Sequence, residues 1–285
     1  MLDDQIHAAL QSLCERLSKG PVLVLTGAGI STASGIPDYR DTEGVRRGNA
    51  PMMHQEFTAS AAARKRYWAR AMFGWHGVGQ ALPNAAHTAL AALQQRGHVS
   101  AIVTQNVDAL HERAGSRGVI ELHGNLHRVV CLDCGRTLAR PDVQALLEAE
   151  NPDLLHVHAV LAPDGDAQLA AHFLEHFVMP ICPSCGSDRL KPDVVFFGDG
   201  VAPATAAAAT QAVDEANAML IVGTSLMAYS SFRLCQELSR QGKPLMAINL
   251  GRTRADTLLN IKVQAPCEEA LPWLNEHLGA GEGKN

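Results

Sequence analysis

VLVLTGAGIS, residues 22–31, is the stretch on which the fold turns. Four apolar residues, Val22, Leu23, Val24 and Leu25, run without interruption into Thr26 and the turn Gly27-Ala28-Gly29. An unbroken apolar run of this kind fits a strand buried on both faces, as in a parallel sheet. The glycines fit a turn whose backbone approaches phosphate closely. The pattern then departs from a dinucleotide fingerprint. Thr32 takes the place of a third glycine, and Pro37 arrives before a full helix can form. The segment has the tight turn of a nucleotide site without the long helix behind it.

Working outward, apolar and β-branched runs recur at 100–106, 119–124, 193–199, 218–224 and 244–251. Helical stretches fall between them at 83–96, 203–217 and 227–241, the last stopped by Gly242 and Pro244. Strand and helix in alternation predict an α/β fold with a doubly wound parallel sheet. Ligands bind beyond the carboxyl ends of such strands. Here those ends read TGAG, TQNVD, LHG, GTS and NLG, polar and glycine-rich each time. Two segments break the alternation and read as a smaller second lobe. One is 44–82, rich in arginine and aromatics; the other is 128–190, with two cysteine pairs and the loop LAPDGDAQL.

Composition limits the function classes. The 285 residues are 47% apolar and 19% charged, enough for a well-filled core. A net charge of −5 gives no general attraction to nucleic acid or anionic lipid. No apolar run approaches the roughly 20 residues that span a bilayer. The start, MLDDQIHAAL, is acidic, unlike a secretory signal or a transit peptide, and Ile6, Leu10, Leu13 and Leu17 mark one face of an amphipathic helix. A cytoplasmic location is the default expectation. The closing GAGEGKN reads as a frayed tail.

Of seven cysteines, four form two C-x-x-C pairs, Cys131 with Cys134 and Cys182 with Cys185. Both pairs sit in turns, CLDCG and CPSCG, where backbone amides approach sulfur. In a chain without a secretion signal this favours metal over disulfides. Four thiolates suit tetrahedral zinc and leave no open position, so one structural ion is expected. The competing reading is four unrelated reduced thiols. Cys14 and Cys235 read as core thiols.

The strand ends carry the candidate chemistry. Gly223, Thr224 and Ser225 offer backbone N–H groups and hydroxyls to phosphate, and Asn249, Leu250 and Gly251 an amide to a ribose or base edge. One such turn is ambiguous; three at one sheet edge suggest a dinucleotide. Gln105, Asn106 and Asp108 stand at a strand end and helix start, where Asn106 or Asp108 taken alone reads as a cap. His123 ends another strand before Gly124, well placed for a base near neutrality, with His127 as the nearby competitor.

These residues resemble one family, the sirtuins, NAD-dependent protein deacylases. GAGIS-x-x-SGIPDYR, TQNVD, ELHG, the two cysteine pairs, KPDVVFFGD, GTSL and NLG run in family order over roughly residues 10–275. Tyr39, RYWAR, VCLDCG, LAPDGD and LKPDVVFFGD look like the class II lineage, which includes the mitochondrial lipoamidase and ADP-ribosyltransferase type, and the chain resembles a bacterial member. The resemblance implies a Rossmann-like NAD-binding domain of residues 1–43, 83–127 and 190–285, a helical insertion at 44–82 and a zinc-binding module at 128–189. The 151–172 insertion loops out of that module.

It also implies roles. Gly27, Ala28, Gly29 and Ser31 would cradle the pyrophosphate, while Asp38, Tyr39 and Arg40 cover the reacting end. Asp108 and the Ile30 backbone would hold the nicotinamide carboxamide, with Asn106 and Gln105 on the ribose. Gly223, Thr224 and Ser225 would meet the adenosine side, and Asn249, Leu250, Gly251 and the Cys267 backbone the adenine and its ribose. Sirtuins cleave NAD instead of transferring hydride, which answers why the turn lacks a long helix. His123 would be the general base, with Asn106 and Asp108 completing the catalytic set. An acyl-lysine peptide would lie along Val195, Phe196, Phe197 and Gly198, where Asp199 stands in place of the family's commoner Glu. Products would be nicotinamide, free lysine and O-acyl-ADP-ribose, from a monomer. Protein mono-ADP-ribosylation and a weakly catalytic NAD-sensing module are the alternatives.

The acyl group is read from Tyr67-x-x-Arg70, neighbours on one helical face. In sirtuins that remove acidic acyl groups, such a pair grips the terminal carboxylate, so longer, branched or acidic acyl chains are expected over acetyl. The competing reading is a basic helix face, with Arg64, Lys65 and Arg66 alongside, and Asp164 and Asp166 of the insertion would oppose an anionic tail.

Overall fold

The structure, a computed structural model, describes residues 4–38, 41–43, 45, 51–154, 160–161, 167–168 and 171–279. Tyr39, Arg40, Asp164, Asp166 and the tail beyond 279 lie outside the described residues. Along the chain come α1 (Asp4–Leu17), β1 (Val22–Thr26), α2 (His54–Ala59), α3 (Ala61–Gln80), α4 (Ala85–Gln95), β2 (Val99–Thr104), α5 (Leu110–Arg113) and β3 (Ile120–Glu121). Next are β4 (Gly124–Cys131), β5 (Thr137–Ala139), α6 (Arg140–Glu150), β6 (Val160–Leu161), β7 (Ala167–Gln168), α7 (Ala171–His176) and β8 (Leu190–Val194). The chain closes with α8 (Pro203–Glu215), β9 (Met219–Val222), α9 (Tyr229–Arg240), β10 (Leu245–Ile248), β11 (Ile261–Val263) and α10 (Cys267–Gly279).

Six strands form one parallel sheet in the order β11-β10-β9-β1-β2-β3. Every residue of β1 is buried, as its unbroken apolar run requires. Alternate residues face opposite layers. Val22 and Val24 pack with Leu10, Leu13, Leu90, Leu93, Leu271 and Leu274 of α1, α4 and α10. Leu23 and Leu25 pack with Val213, Phe232 and Leu238 of α8 and α9. The sheet is doubly wound and Rossmann-like. From β1 the chain builds outward through β2 and β3, then returns to build the other half from β9. The order therefore reverses between β1 and β9, which is where such sheets bind ligands.

A three-stranded antiparallel sheet, β5-β4-β8, forms beside it. Its core joins the two segments that broke the alternation. Trp68 and Met72 of α3 pack against Val129, Val143, Leu147, Phe177 and Leu190. The Trp68 indole N–H donates to the Leu190 carbonyl at 2.9 Å, and Arg64 pairs with Asp188 at 3.0 Å.

One expectation needs correction, and one strand carries no signal. The apolar run 193–199 is no strand of the parallel sheet, since β8 ends at Val194 and pairs with β4. Its apolar character serves a wall instead: Phe196 meets Phe57 and Tyr67 edge-on or tilted, while Phe197 stays half exposed. The edge strand β11 shows no apolar run at all, because Ile261-Lys262-Val263 is too short to mark itself.

Candidate active site

A cavity of about 1010 Å³ opens along the carboxyl ends of β1, β2, β9 and β10 and extends to α3 and α6. That is at the upper end of the roughly 300–1,000 Å³ of ligand pockets. Its floor is the switch point. The Gly27 N–H donates to Val222 O at 3.1 Å and the Gly29 N–H to Gly223 O at 2.8 Å, so the ladder continues past both strand ends. Gly223 has φ +58°, and a Cβ there would stand 2.5 Å from the Ile30 nitrogen. A Cβ on Gly29 would meet Gly223 O at 2.8 Å. The two loops interlock backbone to backbone, and no side chain fits between them. Instead of a long helix, two 3₁₀ turns follow, Ala28–Ile30 and Thr32–Ser34. The glycines let the loops pack this closely, and the turns so placed line the cavity at the switch point. A dinucleotide's pyrophosphate sits there in such sheets, so the site fits NAD.

Gly27, Ala28, Gly29, Ser31, Asp38, Gly223, Thr224 and Ser225 all line the cavity. Ile30 does not; its side chain is in the core, its N–H donates to Gly27 O and its carbonyl accepts from Asn84 Nδ2 at 2.8 Å. Asn84 also reaches Ser34 Oγ at 2.9 Å and caps α4, pinning the loop to the helix. Its sequence signal, an Asn before an Ala-rich helical run, is only that of a cap.

The third strand end is clamped differently. Asn249 Nδ2 donates to Gly251 O at 2.9 Å, and the Arg252 N–H donates to Thr42 O at 2.9 Å. Asn249, Leu250, Gly251 and Cys267 line the cavity. Burial, with help from Glu268, pushes the Cys267 thiol up to about 12, so the sulfur is inert near neutrality.

Residues 105–108 form a network across the sheet edge. Asn106 Nδ2 donates to Ser31 Oγ at 3.0 Å, and Ser31 donates to Asp108 Oδ2 at 2.7 Å. The other Asp108 oxygen accepts from the Leu110 N–H at 3.0 Å. One carboxylate thus serves both the start of α5 and the cavity, although Ala109 holds the cap position. Gln105 Nε2 donates to Thr224 Oγ1 at 2.9 Å, and its Oε1 accepts from Ser231 at 2.9 Å.

His123 lies in the cavity wall beside this network. Its Nδ1 faces the Gln105 carbonyl at 3.1 Å and its Nε2 faces Ser230 Oγ at 2.8 Å. A carbonyl only accepts, so Nδ1 carries the proton and Nε2 presents its lone pair to the Ser230 hydroxyl. Burial holds the ring below the ordinary imidazole range, against the opposing pull of the Gln105 carbonyl. The ring is neutral at pH 7, as a base must be. His127, the competitor, does not line the cavity; its Nε2 contacts Asp108 O at 3.2 Å and its ring packs edge-on to Trp75. Nothing in the sequence pattern marks Ser230, whose importance comes only from the fold bringing α9 to His123.

At the far end, Val195, Phe196, Phe197 and Gly198 line the cavity, as does Tyr67. Arg70 is not among the lining residues. The cation that lines this end is Arg140, the first residue of α6, unmarked in the sequence.

The four cysteine sulfurs of the lobe lie within 4.8 Å of one another. Cys131 and Cys185 sulfurs are 3.6 Å apart, and those of Cys134 and Cys182 3.7 Å. A tetrahedron of sulfurs about 2.3 Å from zinc has edges of about 3.8 Å, so the group fits one zinc. Both knuckles repeat one turn: Cys131 O accepts from Gly135 N–H and Cys182 O from Gly186 N–H, each at 2.9 Å. None of the four cysteines lines the cavity. No described helix is long and apolar enough to cross a membrane.

The Sir2 family model matches residues 27–230. The chain is 57% identical over 278 residues to NAD-dependent protein deacetylase 3 of Pseudomonas syringae pv. tomato, covering 98% of this chain and 99% of that one. It is 52% identical over 250 residues to the NAD-dependent protein deacetylase of Bordetella bronchiseptica, covering 88% and 91%. Among solved structures, one of Sir2 with a p53 peptide and NAD+ superposes with a TM-score of 0.75 at 30% identity, over 95% of this chain and 99% of that one.

Proposed function

The chain belongs to the Sir2 family, and on that premise we propose that it is an NAD-dependent protein lysine deacylase with His123 as its general base. The observation that carries the reading is the setting of His123: neutral, its tautomer fixed, in the wall of a cavity floored by the interlocked Gly29 and Gly223 loops. Relatives bearing the name NAD-dependent protein deacetylase and a structural neighbour holding an NAD and a p53 peptide support it.

NAD, when bound, supplies a cleavable ribose–nicotinamide bond and the acceptor for the acyl group. Gly27, Ala28, Gly29 and Ser31 bind its pyrophosphate. Thr224 and Ser225 take the adenosine side, with Asn249, Leu250, Gly251 and the Cys267 backbone around the adenine. Gln105 and Asn106 orient the reacting ribose. Asp108 holds the carboxamide, and the Ile30 backbone would join it only by exchanging its bonds to Gly27 and Asn84. Asp38 closes the reacting end against water. His123, with Nε2 unprotonated, would serve as the general base toward a ribose hydroxyl, a role that contributes about 10²–10⁴-fold. Ser230 holds that lone pair until the hydroxyl takes its place. The zinc folds the lobe and has no part in turnover, because four thiolates leave it no open position.

The acylated peptide lies along 195–198, and longer or branched acyl groups are preferred over acetyl. Supporting this, the cavity continues past His123 along α3, walled by Ala71, Trp75, Val78 and Leu126. Incubation with NAD and acyl-lysine peptides tests the reading. O-acyl-ADP-ribose with free lysine is the expected outcome. Labelled protein in its place means ADP-ribosyl transfer, and neither product means an NAD-binding module.

A further inference from the structure

Arg140 is only 2% exposed, yet it lines the same cavity as His123. Its guanidinium lies 5.4 Å from the ring centre of Trp68 and 4.8 Å from that of Trp75. Nη2 donates to the Ala71 carbonyl at 2.9 Å. Nη1 is buried and has no hydrogen-bond partner. Among the described residues no carboxylate stands within ion-pair distance of Arg140. Glu148, about two turns further along α6, is occupied by Gln144 at 2.7 Å and His76 at 3.4 Å. Burial pulls the guanidinium down to about 10, with Tyr67 and Glu148 opposing, which still leaves it charged at neutral pH. An unpaired buried cation is costly, and an arriving anion relieves that cost.

We propose that Arg140 is the anion-reading end of the acyl channel, so that the acyl groups it selects end in a carboxylate. This rests on the deacylase reading above for the path of the acyl chain. The site is built for that chemistry. A guanidinium offers a planar fork matched to a carboxylate, and the Trp68 and Trp75 rings hold it flat. The Tyr67 phenol shares the wall. Ala71 and Trp75 exclude water from the approach, which strengthens a charge-assisted bond. Arg70, on the same helix as Tyr67, is half-buried and absent from the lining, so it serves as the comparison.

The test uses the full-length, zinc-loaded protein and two peptides matched in acyl length, Nε-glutaryl-lysine and Nε-pentanoyl-lysine. Nicotinamide release gives kcat/KM for each, and calorimetry without NAD gives peptide affinity where no turnover occurs. The wild type should favour glutaryl. Arg140→Met should lower the glutaryl-to-pentanoyl ratio by about 30-fold or more in both readouts. Arg70→Met should change it by less than about threefold. The melting temperature of Arg140→Met should hold, since methionine packs between the two indoles without a buried charge. An unchanged ratio in Arg140→Met overturns the proposal, as does a large change in Arg70→Met alone. Wild-type turnover of pentanoyl with no binding of glutaryl overturns it while leaving the deacylase reading intact. Arg140-dependent glutaryl binding with no turnover of any acyl peptide upholds it and sinks that reading instead.

Discussion

In the parallel sheet, Val22 to Leu25 are hydrogen-bonded to a strand on either side, and their side chains are buried in apolar contact with two helical layers. In the neighbouring lobe, a smaller core around Trp68, Val129 and Leu190 ends at four thiols, two of them exposed. Each fully buried Leu or Val side chain contributes about 1.5–3 kcal/mol, so the sheet is secure by number. The lobe leans on a metal, whose binding free energy is folding free energy of about 10–16 kcal/mol in small zinc modules. The cavity lies between them, taking its glycine-turn floor from the first and the wall of Tyr67, Trp75 and Arg140 from the second.

The largest effect should therefore come from the lobe. Cys131→Ser or Cys185→Ser should lower Tm by about 10 °C or more, or leave the protein insoluble, and metal analysis of the wild type should find one zinc per chain. Cys235→Ala, in the sheet's own core, should cost far less. Equal losses at the two places would break the contrast.

Next in size, His123→Ala should reduce turnover by about 10²–10⁴-fold while NAD affinity stays within about threefold, with Tm unchanged. The proposed cradle and the proposed base share an edge but are assigned different work, and a parallel loss of NAD binding would merge them.

The smallest effect sharpens the same edge. The Ser230 hydroxyl donates to the His123 lone pair and so favours the neutral ring. Because burial already holds the ring below the usual imidazole range, kcat/KM should be flat near neutrality and fall only at lower pH. Ser230→Ala removes a stabiliser of the neutral form, which raises the ring's pKa and moves the acid limb to higher pH. One hydrogen bond corresponds to about half a pH unit to one. A limb that stays put, or moves to lower pH, leaves Ser230 without this part.

The sheet was legible because its signals are local: an apolar run followed by a glycine turn marks both the strand and what it presents. The cysteine pairs were legible for the same reason, each carrying its own knuckle. What was hidden depends on contacts between distant segments. The apolar run 193–199 imitated a core strand because a cavity wall and a sheet interior use the same residues. Ser230 and Arg140 are ordinary in their helices and acquire meaning only through what faces them, His123 in one case and, among the described residues, no partner for Arg140 Nη1 in the other.

Gln105 has an inheritance of its own. Its side chain joins Thr224 to Ser231, and its backbone carbonyl sets the tautomer of His123. A substitution at Thr224 or Ser231 therefore reaches the base through one shared residue, and its effect depends on what the other positions carry. Substitutions at Gln105, Thr224, Ser231 and His123 should therefore combine non-additively, because all four meet at one hydrogen-bonded residue.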